Sequence, residues 1–224
     1  MGDGTEDRKR VAIIPTNGRK CFDDCLAAIF PQVNYVVVVD TSEDYEVTRR
    51  TPIEDVIVLQ AIRTEPNISA WWNQGLNTTR TLARHSDVSW TSWDVAILND
   101  DAVVPDGWFA AVANNMRQHG AVAGCSGHHD VVLRQPEAVP LDYRMQGYAF
   151  ILKGEANIRA YEKLHWYFSD DYIDWESRKA GGMAMVSGYL VQHLHPNGQM
   201  TPELHAQTAR DADEFFSLYG RMPW

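Results

Sequence analysis

The stretch Trp93-Asp94-Val95-Ala96-Ile97-Leu98-Asn99-Asp100-Asp101-Ala102 is an apolar run that ends abruptly in an amide and two acidic side chains. A short apolar run bounded in this way predicts a buried strand, and such strands of α/β proteins present functional groups at their carboxyl ends. Two adjacent carboxylates near a protein interior are costly unless they hold a cation, and a divalent metal ion could also bind a phosphate. The alternative is a solvated turn that leads into Pro105-Asp106-Gly107.

Polar endings also follow other apolar runs of the first hundred residues. These runs are continuously apolar and rich in β-branched residues, which is typical of strands covered on both faces of a sheet. Their alternation with helical patterns predicts an α/β fold: a mostly parallel, doubly wound, Rossmann-like sheet with helices on both faces. The predicted elements are strands at 11–14, 35–39, 56–59 and 95–98, and helices at 21–29 and 68–82.

The second half of the chain is less regular. Pro136 and Pro140 predict a loop from Val131 to Asp142, and the Gly181-Gly182 pair predicts the end of a polar helix. No repeat, low-complexity segment or long linker divides the chain. The predicted elements are helices at 108–118, 170–180 and 202–219, and strands at 121–125, 148–152 and 185–194.

Composition restricts the class of protein. The chain has 224 residues, of which 45% are hydrophobic, and this predicts one folded domain after a disordered segment at 1–10. A formal net charge of −10 disfavours nucleic acid and anionic membranes as main partners. Three cysteines are an odd number, which favours reduced thiols over a disulfide framework. Because no signal peptide or membrane-span pattern is present, we expect a soluble, cytoplasmic protein.

The ordered set of motifs from about Val11 to Thr201 resembles the GT-A glycosyltransferases, specifically the family 2-like enzymes related to rhamnosyltransferases. Each motif alone is weak, but their order and spacing together are fairly specific. The resemblance implies a single GT-A domain at 11–201, with a nucleotide-sugar-binding half at 11–101, an acceptor-side half at 102–201 and a C-terminal helical segment at 202–224. The motifs are IPTNGR at 14–19, VDTS at 39–42, WNQG at 72–75, LNDD at 98–101, GYAF at 147–150, the acidic helix at 170–181 and VQH at 191–193.

The resemblance implies a divalent metal ion, Mn²⁺ or Mg²⁺, beside the diphosphate of a nucleotide sugar. Asp101 is the first candidate ligand, and Asn99 and Asp100 complete the DxD motif at the ribose and the outer shell of the metal. Asn99 stands where the family has an acidic residue, which leaves one carboxylate fewer at the motif. His193 and His195 alternate on the predicted last strand, so both would point to one face and one could bind the metal. The alternative is a hydrogen-bonded histidine pair at the sheet end.

Other residues after strands predict the donor pocket. Asp40 stands where the family binds the base or ribose, and Pro15, Thr16 and Asn17 lie in the adjacent loop. An ordinary strand-end turn would use the same residues. Asn73, in the following helix, is a further candidate donor contact, whereas the tryptophans at 71 and 72 are expected in the core.

Sugar transfer also needs an ionised carboxylate that removes the proton of the acceptor hydroxyl. By motif position Asp171 is the expected base, and Asp170 is the second candidate. The alternative is a pair of acids that only stabilises the N-terminus of the helix. Asp174 and Arg178 stand four residues apart, which predicts a structural ion pair worth roughly a few tenths of a kcal/mol.

These features together predict a metal-dependent hexosyltransferase that uses a UDP, GDP or dTDP sugar and inverts the anomeric carbon by single displacement. A saccharide, a protein and a modified nucleobase all stay open as acceptors. Two other functions also stay open. One is a sugar nucleotidyltransferase, although the loop Pro15–Lys20 lacks the glycine-rich pattern that such an enzyme needs. The other is a non-catalytic nucleotide- or sugar-binding module, which Asn99 keeps in consideration.

Overall fold

The strands form one large mixed sheet and one small two-stranded sheet. The computed structural model describes residues 8–42, 47, 54–62, 65–195 and 201–224. Within these ranges the helices are α1 (Cys21–Ile29), α2 (Ile68–Arg84), α3 (Trp108–Gln118), α4 (Ser169–Ala180) and α5 (Pro202–Tyr219). The strands are β1 (Lys9–Thr16), β2 (Tyr35–Asp40), β3 (Val56–Gln60), β4 (Trp93–Leu98), β5 (Ala102–Val103), β6 (Ala123–Ser126), β7 (Val131–Leu133), β8 (Ala149–Lys153), β9 (Met183–Val186) and β10 (Gln192–His193).

The large sheet has the strand order β3-β2-β1-β4-β8-β6-β9-β7. The first four strands pair in parallel, as the sequence predicts. Strand β8 runs antiparallel between β4 and β6, β9 is parallel to β6, and the edge strand β7 is antiparallel to β9. The carboxyl ends of β1, β2 and β4 therefore lie at one edge, and β8 begins at the same edge because Leu98 pairs with Ala149.

Alternate residues of each buried strand fill two cores, one on each face of the sheet. In β1, Ile14 joins the core under α1 and α3, whereas Ile13 joins the core under α2 and α4. Gly75 of α2 lies so close to Ile13 that a β-carbon there would be 2.3 Å from the isoleucine side chain. Trp71 and Trp72 belong to this second core, as predicted. Helices therefore cover both faces of the sheet.

Helix α5 packs against the start of α4 through aromatic residues. Phe215 of α5 lies between Trp175 and Phe168, with ring centroids 5.2 and 5.6 Å apart. Asp211 of α5 accepts hydrogen bonds of 2.8 to 3.1 Å from the backbone N–H groups of residues 165–167. The segment that leads into α4 is thereby fixed, and with it the position of the first turn of that helix.

Three elements differ from the prediction. Strand β1 begins at Lys9, inside the segment expected to be disordered, while residues 1–7 lie outside the described ranges. The predicted loop at 131–142 begins with a short strand, β7, which pairs with β9. The predicted single strand at 185–194 is wrong, because β9 ends at Val186 and the chain turns at Gly188 (φ 84°) before β10.

Two predictions made from composition, on the cysteines and on membrane-spanning segments, can be compared with the structure. Cys21, Cys25 and Cys125 are buried free thiols, in agreement with the prediction of reduced cysteines. Burial is the main reason that the pKa of each of these thiols is raised. Among the described residues, no helix is both long and apolar enough to cross a bilayer.

Candidate functional site

The carboxyl ends of β1, β2 and β4 lie side by side and bring several predicted residues together. Thr16 at the end of β1 pairs with Asp40 at the end of β2. The Thr16 carbonyl accepts hydrogen bonds from the backbone N–H and the hydroxyl of Thr41, at 2.8 and 3.0 Å. The Thr16 hydroxyl donates to Oδ2 of Asp100, 2.8 Å away and just after β4. Three strand ends thus contribute to one polar cluster.

Asp100 is a buried carboxylate whose charge is balanced by Arg19. Only 4% of Asp100 is exposed, and its two oxygens accept hydrogen bonds from the Arg19 guanidinium. The hydrogen bond to Asp100 raises the pKa of Arg19 against the opposing effect of burial. A guanidinium nitrogen of Arg19 also lies 3.4 Å from Oδ2 of Asp101. Because 41% of the Arg19 side chain is exposed, an anionic ligand could reach it from the solvent.

Asp101 is the second buried carboxylate, and His193 is its partner. Nε2 of His193 lies 3.1 Å from Oδ1 of Asp101. The pairing of β5 with β10 sets this contact: His193 is in register with Ala102, and the backbone N–H of Leu194 donates to the Asp101 carbonyl at 2.9 Å. Burial acts to raise the pKa of Asp101, but the hydrogen bond from His193 and the charge of Arg19 outweigh it and lower the pKa. Asp101 is therefore an anion at neutral pH.

Asp101 and His193, which are hydrogen-bonded to each other here, could instead hold a divalent cation as two of its ligands. Two atoms that are each about 2.1 Å from an ion and at right angles to each other lie about 3 Å apart, which is close to the observed 3.1 Å. A carboxylate oxygen together with an imidazole nitrogen suits Mn²⁺ better than Mg²⁺. Among the described residues, no three His, Cys, Asp or Glu side chains come together as a complete metal centre. Water and the oxygens of a bound phosphate would therefore have to complete the coordination.

The segment before β8 connects this cluster with the acidic helix α4. Tyr148 stacks on His193, with ring centroids 4.5 Å apart and planes 22° from parallel. The Tyr148 carbonyl accepts a hydrogen bond from the backbone N–H of Asn99 at 2.9 Å. The preceding Gly147 lies against Asp170, where a β-carbon would be 2.2 Å from Oδ2 of the carboxylate. The absence of a side chain at position 147 is what lets Asp170 approach this segment.

Asp170 and Asp171, in the first turn of α4, form an acidic pair with little counter-charge. Burial and the charge of Asp170 raise the pKa of Asp171 to about 8, even though Nη1 of Arg144 lies 3.3 Å from its Oδ1. Burial also raises the pKa of Asp170, against the effect of backbone N–H groups at 170 and 171 that bond its carboxylate. A carboxyl group that titrates near neutral pH can both accept and release a proton during a reaction. The pair is therefore suited to acid–base chemistry.

One turn further along α4, Asp174 and Arg178 form the predicted ion pair. Nε and Nη2 of Arg178 donate to the two oxygens of Asp174 at 2.8 and 2.5 Å, and neither side chain is exposed. Nη1 of Arg178 also donates to the carbonyl of Glu137 at 3.0 Å. The predicted pair is confirmed, and it is buried, whereas the predicted magnitude is that of an exposed pair. Removal of one partner of a buried pair costs about 3–5 kcal/mol, because the other charge stays buried alone.

Two predicted donor contacts have partners within the protein. Oδ1 of Asp40 accepts hydrogen bonds from the backbone N–H and hydroxyl of Ser42, at 2.9 and 2.5 Å, as in a strand-end turn. The amide of Asn73 exchanges two hydrogen bonds with the backbone of Ala160, at 2.9 and 3.0 Å, and donates a third to Oε1 of Glu162 at 3.0 Å. Asp40 and Asn73 therefore both make contacts that stabilise the fold.

The remaining predicted donor residues differ in exposure. Pro15 is buried within β1, whereas Asn17 is exposed in the loop that follows. Asn99 is partly buried, and its backbone is held between Tyr148 and the turn that leads to Ala102. Asn17 and Asn99 are thus the two predicted donor residues with side chains near enough to the surface to meet a ligand.

The two predicted histidine ligands do not share a strand face. Strand β10 contains only Gln192 and His193, and His195 is exposed beyond its end. The prediction that His193 and His195 alternate on one long strand is therefore wrong. Of the two histidines, it is His193 that contacts Asp101 among the described residues.

Sequence reasoning missed Arg19, Arg144 and Tyr148 as site residues. The sequence contains a signal that could have identified Arg19: it is a cation in the loop after one strand, and the neighbouring strand is followed by two acids. Tyr148 could have been identified as well, because it directly follows the motif glycine at 147. Arg144 had none: it reaches Asp171 only through tertiary packing of the segment before β8.

Comparison with known proteins identifies the fold. No protein-family model matches this chain, and no curated protein matches it by sequence. Residues 1–349 of Staphylococcus aureus TarS match with a TM-score of 0.57 and 16% identity, over 94% of this chain and 72% of that one. The same TarS fragment with UDP-GlcNAc gives a TM-score of 0.56 and 14% identity, over 93% and 66%.

A longer TarS structure matches with a TM-score of 0.59 and 14% identity, over 96% of this chain but only 46% of that one. This chain therefore spans less than half of the longer TarS chain. At such low identity the likeness shows the fold, and it confirms the GT-A type predicted from the strand-end motifs.

Proposed function

We propose that this chain is a glycosyltransferase that moves a sugar from a nucleoside diphosphate sugar to an acceptor hydroxyl, with inversion at the anomeric carbon. One observation carries the proposal. A continuous line of contacts runs from Asp101 through His193 and Tyr148 to Gly147 and Asp170. It connects a cluster suited to phosphate with a carboxylate pair suited to proton transfer, and sugar transfer needs both.

At the donor end, the diphosphate would lie beside Arg19, Asp101 and His193. The exposed side of the Arg19 guanidinium would donate to a phosphate oxygen, while its bonds to Asp100 keep it oriented. Asp101 and His193 would hold a Mn²⁺ or Mg²⁺ ion, which supplies positive charge to the departing diphosphate. The buried hydrogen bond between Thr16 and Asp100 would keep the strand ends that surround the ribose in place.

At the acceptor end, Asp171 would act as the general base. The acceptor oxygen forms a bond to the anomeric carbon as the bond from that carbon to the diphosphate breaks, and the acceptor proton moves to the Asp171 carboxylate. Arg144 favours the ionised form of Asp171 and limits the rise in its pKa that burial and Asp170 cause. A pKa near the working pH is the most effective compromise between ionisation and basicity.

The donor nucleotide and the acceptor are the open parts of this proposal. TarS has been crystallised with UDP-GlcNAc and with UDP, so UDP sugars are the first donors to test, before GDP and dTDP sugars. Saccharides, proteins and modified nucleobases are all acceptor candidates, because a fold shared at this level does not select among them.

The test is a thermal-shift titration with UDP, GDP and dTDP, each with and without Mn²⁺. A nucleotide at a hundred times its Kd stabilises a protein by about 2.7 kcal/mol. We expect one nucleotide to raise the Tm when Mn²⁺ is present, and both Asp101→Asn and His193→Gln to lose that rise. Asp106→Asn is the matched control, since Asp106 is an exposed acid on the neighbouring turn and should leave the shift unchanged.

Release of the nucleoside diphosphate from the matching sugar donor separates an enzyme from a binding module. Turnover by the parent protein that is lost in Asp101→Asn supports sugar transfer. A nucleotide-dependent shift with no turnover on any acceptor class would favour the binding module instead. The absence of a shift with every nucleotide would contradict the proposal as a whole.

A further inference from the structure

The segment 221–224, which follows α5, is held in place although it belongs to no helix or strand. Arg221 donates a hydrogen bond to the carbonyl of Pro136. Pro223 is buried, and its carbonyl accepts a hydrogen bond from the backbone N–H of Val139 at 3.3 Å. The segment is therefore attached at two points to the loop that follows β7.

Trp224 of this segment contacts two residues near the proposed base, Asp171. Its ring lies 5.5 Å from the ring of Phe168, centroid to centroid, with the two planes 34° apart. The guanidinium carbon of Arg144 lies 5.7 Å from the Trp224 ring centroid, within the range of a cation–π contact. Nη1 of the same guanidinium lies 3.3 Å from Oδ1 of Asp171. One arginine therefore contacts both the indole and the carboxylate.

Phe168 fixes the other side of the indole. It is the residue before α4 and has a φ of 61°, in the left-handed region that is unusual for a bulky side chain. Such a conformation persists only where neighbouring groups fix it, and it occurs preferentially at functional sites. The ring of Phe215 lies 5.6 Å from that of Phe168, and the Phe168 carbonyl accepts a hydrogen bond from the backbone N–H of Tyr172 at 2.9 Å. Trp224 is thus attached to the start of the helix that carries Asp171.

Among the described residues, the Arg144 guanidinium has few other partners. Its buried Nε has no hydrogen-bond partner there. The 3.3 Å bond to Asp171 is longer than a typical N–H···O hydrogen bond of about 2.7–3.2 Å. An arginine held by one long bond would leave this position easily, because its other rotamers are favoured by entropy. A planar guanidinium packs well on a flat aromatic face, so the Trp224 indole supplies a further contact that limits these rotamers.

The position of Arg144 matters because the surroundings of Asp171 oppose its ionisation. Among the described residues, the charged side chains that act most strongly on Asp171 are Asp170 and Asp174 of its own helix and Arg144 of the segment before β8. Burial and the two acids raise the pKa of Asp171, and Arg144 lowers it. Because the attraction between opposite charges falls with distance, an arginine that moved away would leave the carboxylate more often protonated.

We propose that Trp224 is a positioning residue that holds the Arg144 guanidinium beside Asp171. The importance of this contact for catalysis rests on the proposed function, in which Asp171 must be ionised to accept a proton. The contact itself does not depend on sugar transfer and can be measured without substrate. Since 65% of Trp224 is exposed, replacement of its ring removes the contact without opening a cavity in the core.

The ¹³C carboxyl resonance of Asp171 gives a direct readout. Asp171→Asn identifies the signal, and a titration from about pH 5 to about pH 10 gives its midpoint in each protein. We expect Trp224→Leu to raise this midpoint by about 0.5, and Arg144→Gln to raise it by about 1 or more, since each weakens the attraction that favours the carboxylate. Trp224→Phe keeps an aromatic face and should keep the parent midpoint. Phe216→Leu is the matched control, because Phe216 is an exposed aromatic residue of α5.

The double variant Trp224→Leu/Arg144→Gln tests whether the indole acts through the arginine. If it does, the double variant should titrate like Arg144→Gln alone, because no guanidinium remains for the indole to hold. A further rise in the double variant would place the effect of Trp224 elsewhere, for instance at Phe168, and would overturn the proposal. A Trp224→Leu protein that titrates like the parent would overturn it as well.

The pH profile of turnover separates this inference from the proposed function. The acidic limb of kcat/KM reports the ionisation of the base in the free enzyme, so it should move to higher pH in Trp224→Leu by the same amount as the carboxyl midpoint. A midpoint that moves while the kinetic limb stays in place would support the role of Trp224 and contradict the assignment of Asp171 as the base. If the protein transfers no sugar, the carboxyl titration still decides whether Trp224 holds Arg144.

Discussion

Helix α4 carries two acidic systems one turn apart, and they differ in how their charge is balanced. Asp174 in the second turn is fully buried and has a bidentate partner in Arg178. In the first turn, Arg144 contacts Asp171, and the pKa of Asp171 is still raised to about 8 by burial and by the charge of Asp170. Burial raises the pKa of Asp174 as well, but Arg178 holds that rise to about 6.

The difference supports a structural role for the second turn of the helix and the proposed chemical role for the first. A carboxylate with a complete set of partners contributes to stability and has no reason to exchange its proton. A carboxylate pair with too little counter-charge is unfavourable for the fold, and such pairs occur mainly at functional sites. On this basis we assign the second turn of α4 to the fold and propose the first turn for catalysis.

The largest expected effect concerns the first turn. Asp171→Asn removes the proposed base while keeping the size of the side chain, so we expect turnover to fall about 10²- to 10⁴-fold. The measurement is the initial rate of nucleoside diphosphate release, with circular dichroism to confirm that the variant folds. Asp170→Asn is the matched variant and should lose less activity. A larger loss in Asp170→Asn would move the role of base to Asp170.

The second effect concerns the structural turn. Arg178→Met leaves Asp174 as a buried, unpaired charge, and we expect the free energy of unfolding to fall by about 3–5 kcal/mol. Urea denaturation at pH 7 measures this loss. Lys179→Met is the control at the next position, where an exposed pair with Glu176 should contribute less than about 1 kcal/mol. Equal losses in the two variants would remove the distinction between the two turns.

Adding Asp174→Asn to Arg178→Met sharpens this test. Since the double variant no longer buries a charge, it should recover part of the stability that Arg178→Met loses. If the double variant is less stable than Arg178→Met, the loss comes from the contacts that Arg178 makes with the backbone at Glu137 and not from the unpaired carboxylate.

The third expected effect is a pH dependence of stability. The pKa of Asp171 is about 8 in the folded protein and about 3.9 in an unfolded chain. Between these values the folded state binds more protons than the unfolded state, so this group makes stability fall as pH rises from about 4 to 8. Asp171→Asn removes that fall. The variant should therefore be more stable than the parent at pH 8, and the two should converge near pH 4.

Thermal melts of both proteins across this range check the prediction. Asp106→Asn serves as the control, because an exposed acid should not change the shape of the pH profile. A parent protein whose stability is constant from pH 4 to pH 8, relative to Asp171→Asn, would show that the first turn is as well balanced as the second.

Long helices and central strands were predictable because their signals are local. The bounds of α1, α3 and α5 agree with the predicted ranges at both ends. In α5, Pro202 follows the capping residue Thr201, and Gly220 ends the helix in a left-handed conformation. Short strands were not predictable in this way. Two or three residues form β7 and β10 only because partners lie beside them.

In the candidate site, too, residues with a local sequence signal were predictable, whereas contacts that depend on the fold were not. Asp101 and His193 were predicted from their motifs, and the structure brings them together. The prediction that His195 lies beside His193 on one strand face was wrong, because the predicted single strand is two strands with a turn at Gly188 between them. Asp40 and Asn73 stand in the expected elements, but their hydrogen bonds go to the protein itself, which only the fold could decide.

The sequence by itself determined the α/β class, the parallel first half of the sheet and the polar residues that follow its strands, because periodicity and residue type act over short distances along the chain. Only the tertiary structure decided which of those residues meet, which cations face them and which acids lack a partner. Charge balance depends on burial and on neighbours that are distant in sequence, as with Arg144 beside Asp171. Residue type is fixed locally, but the protonation and contacts of a side chain are properties of the folded protein.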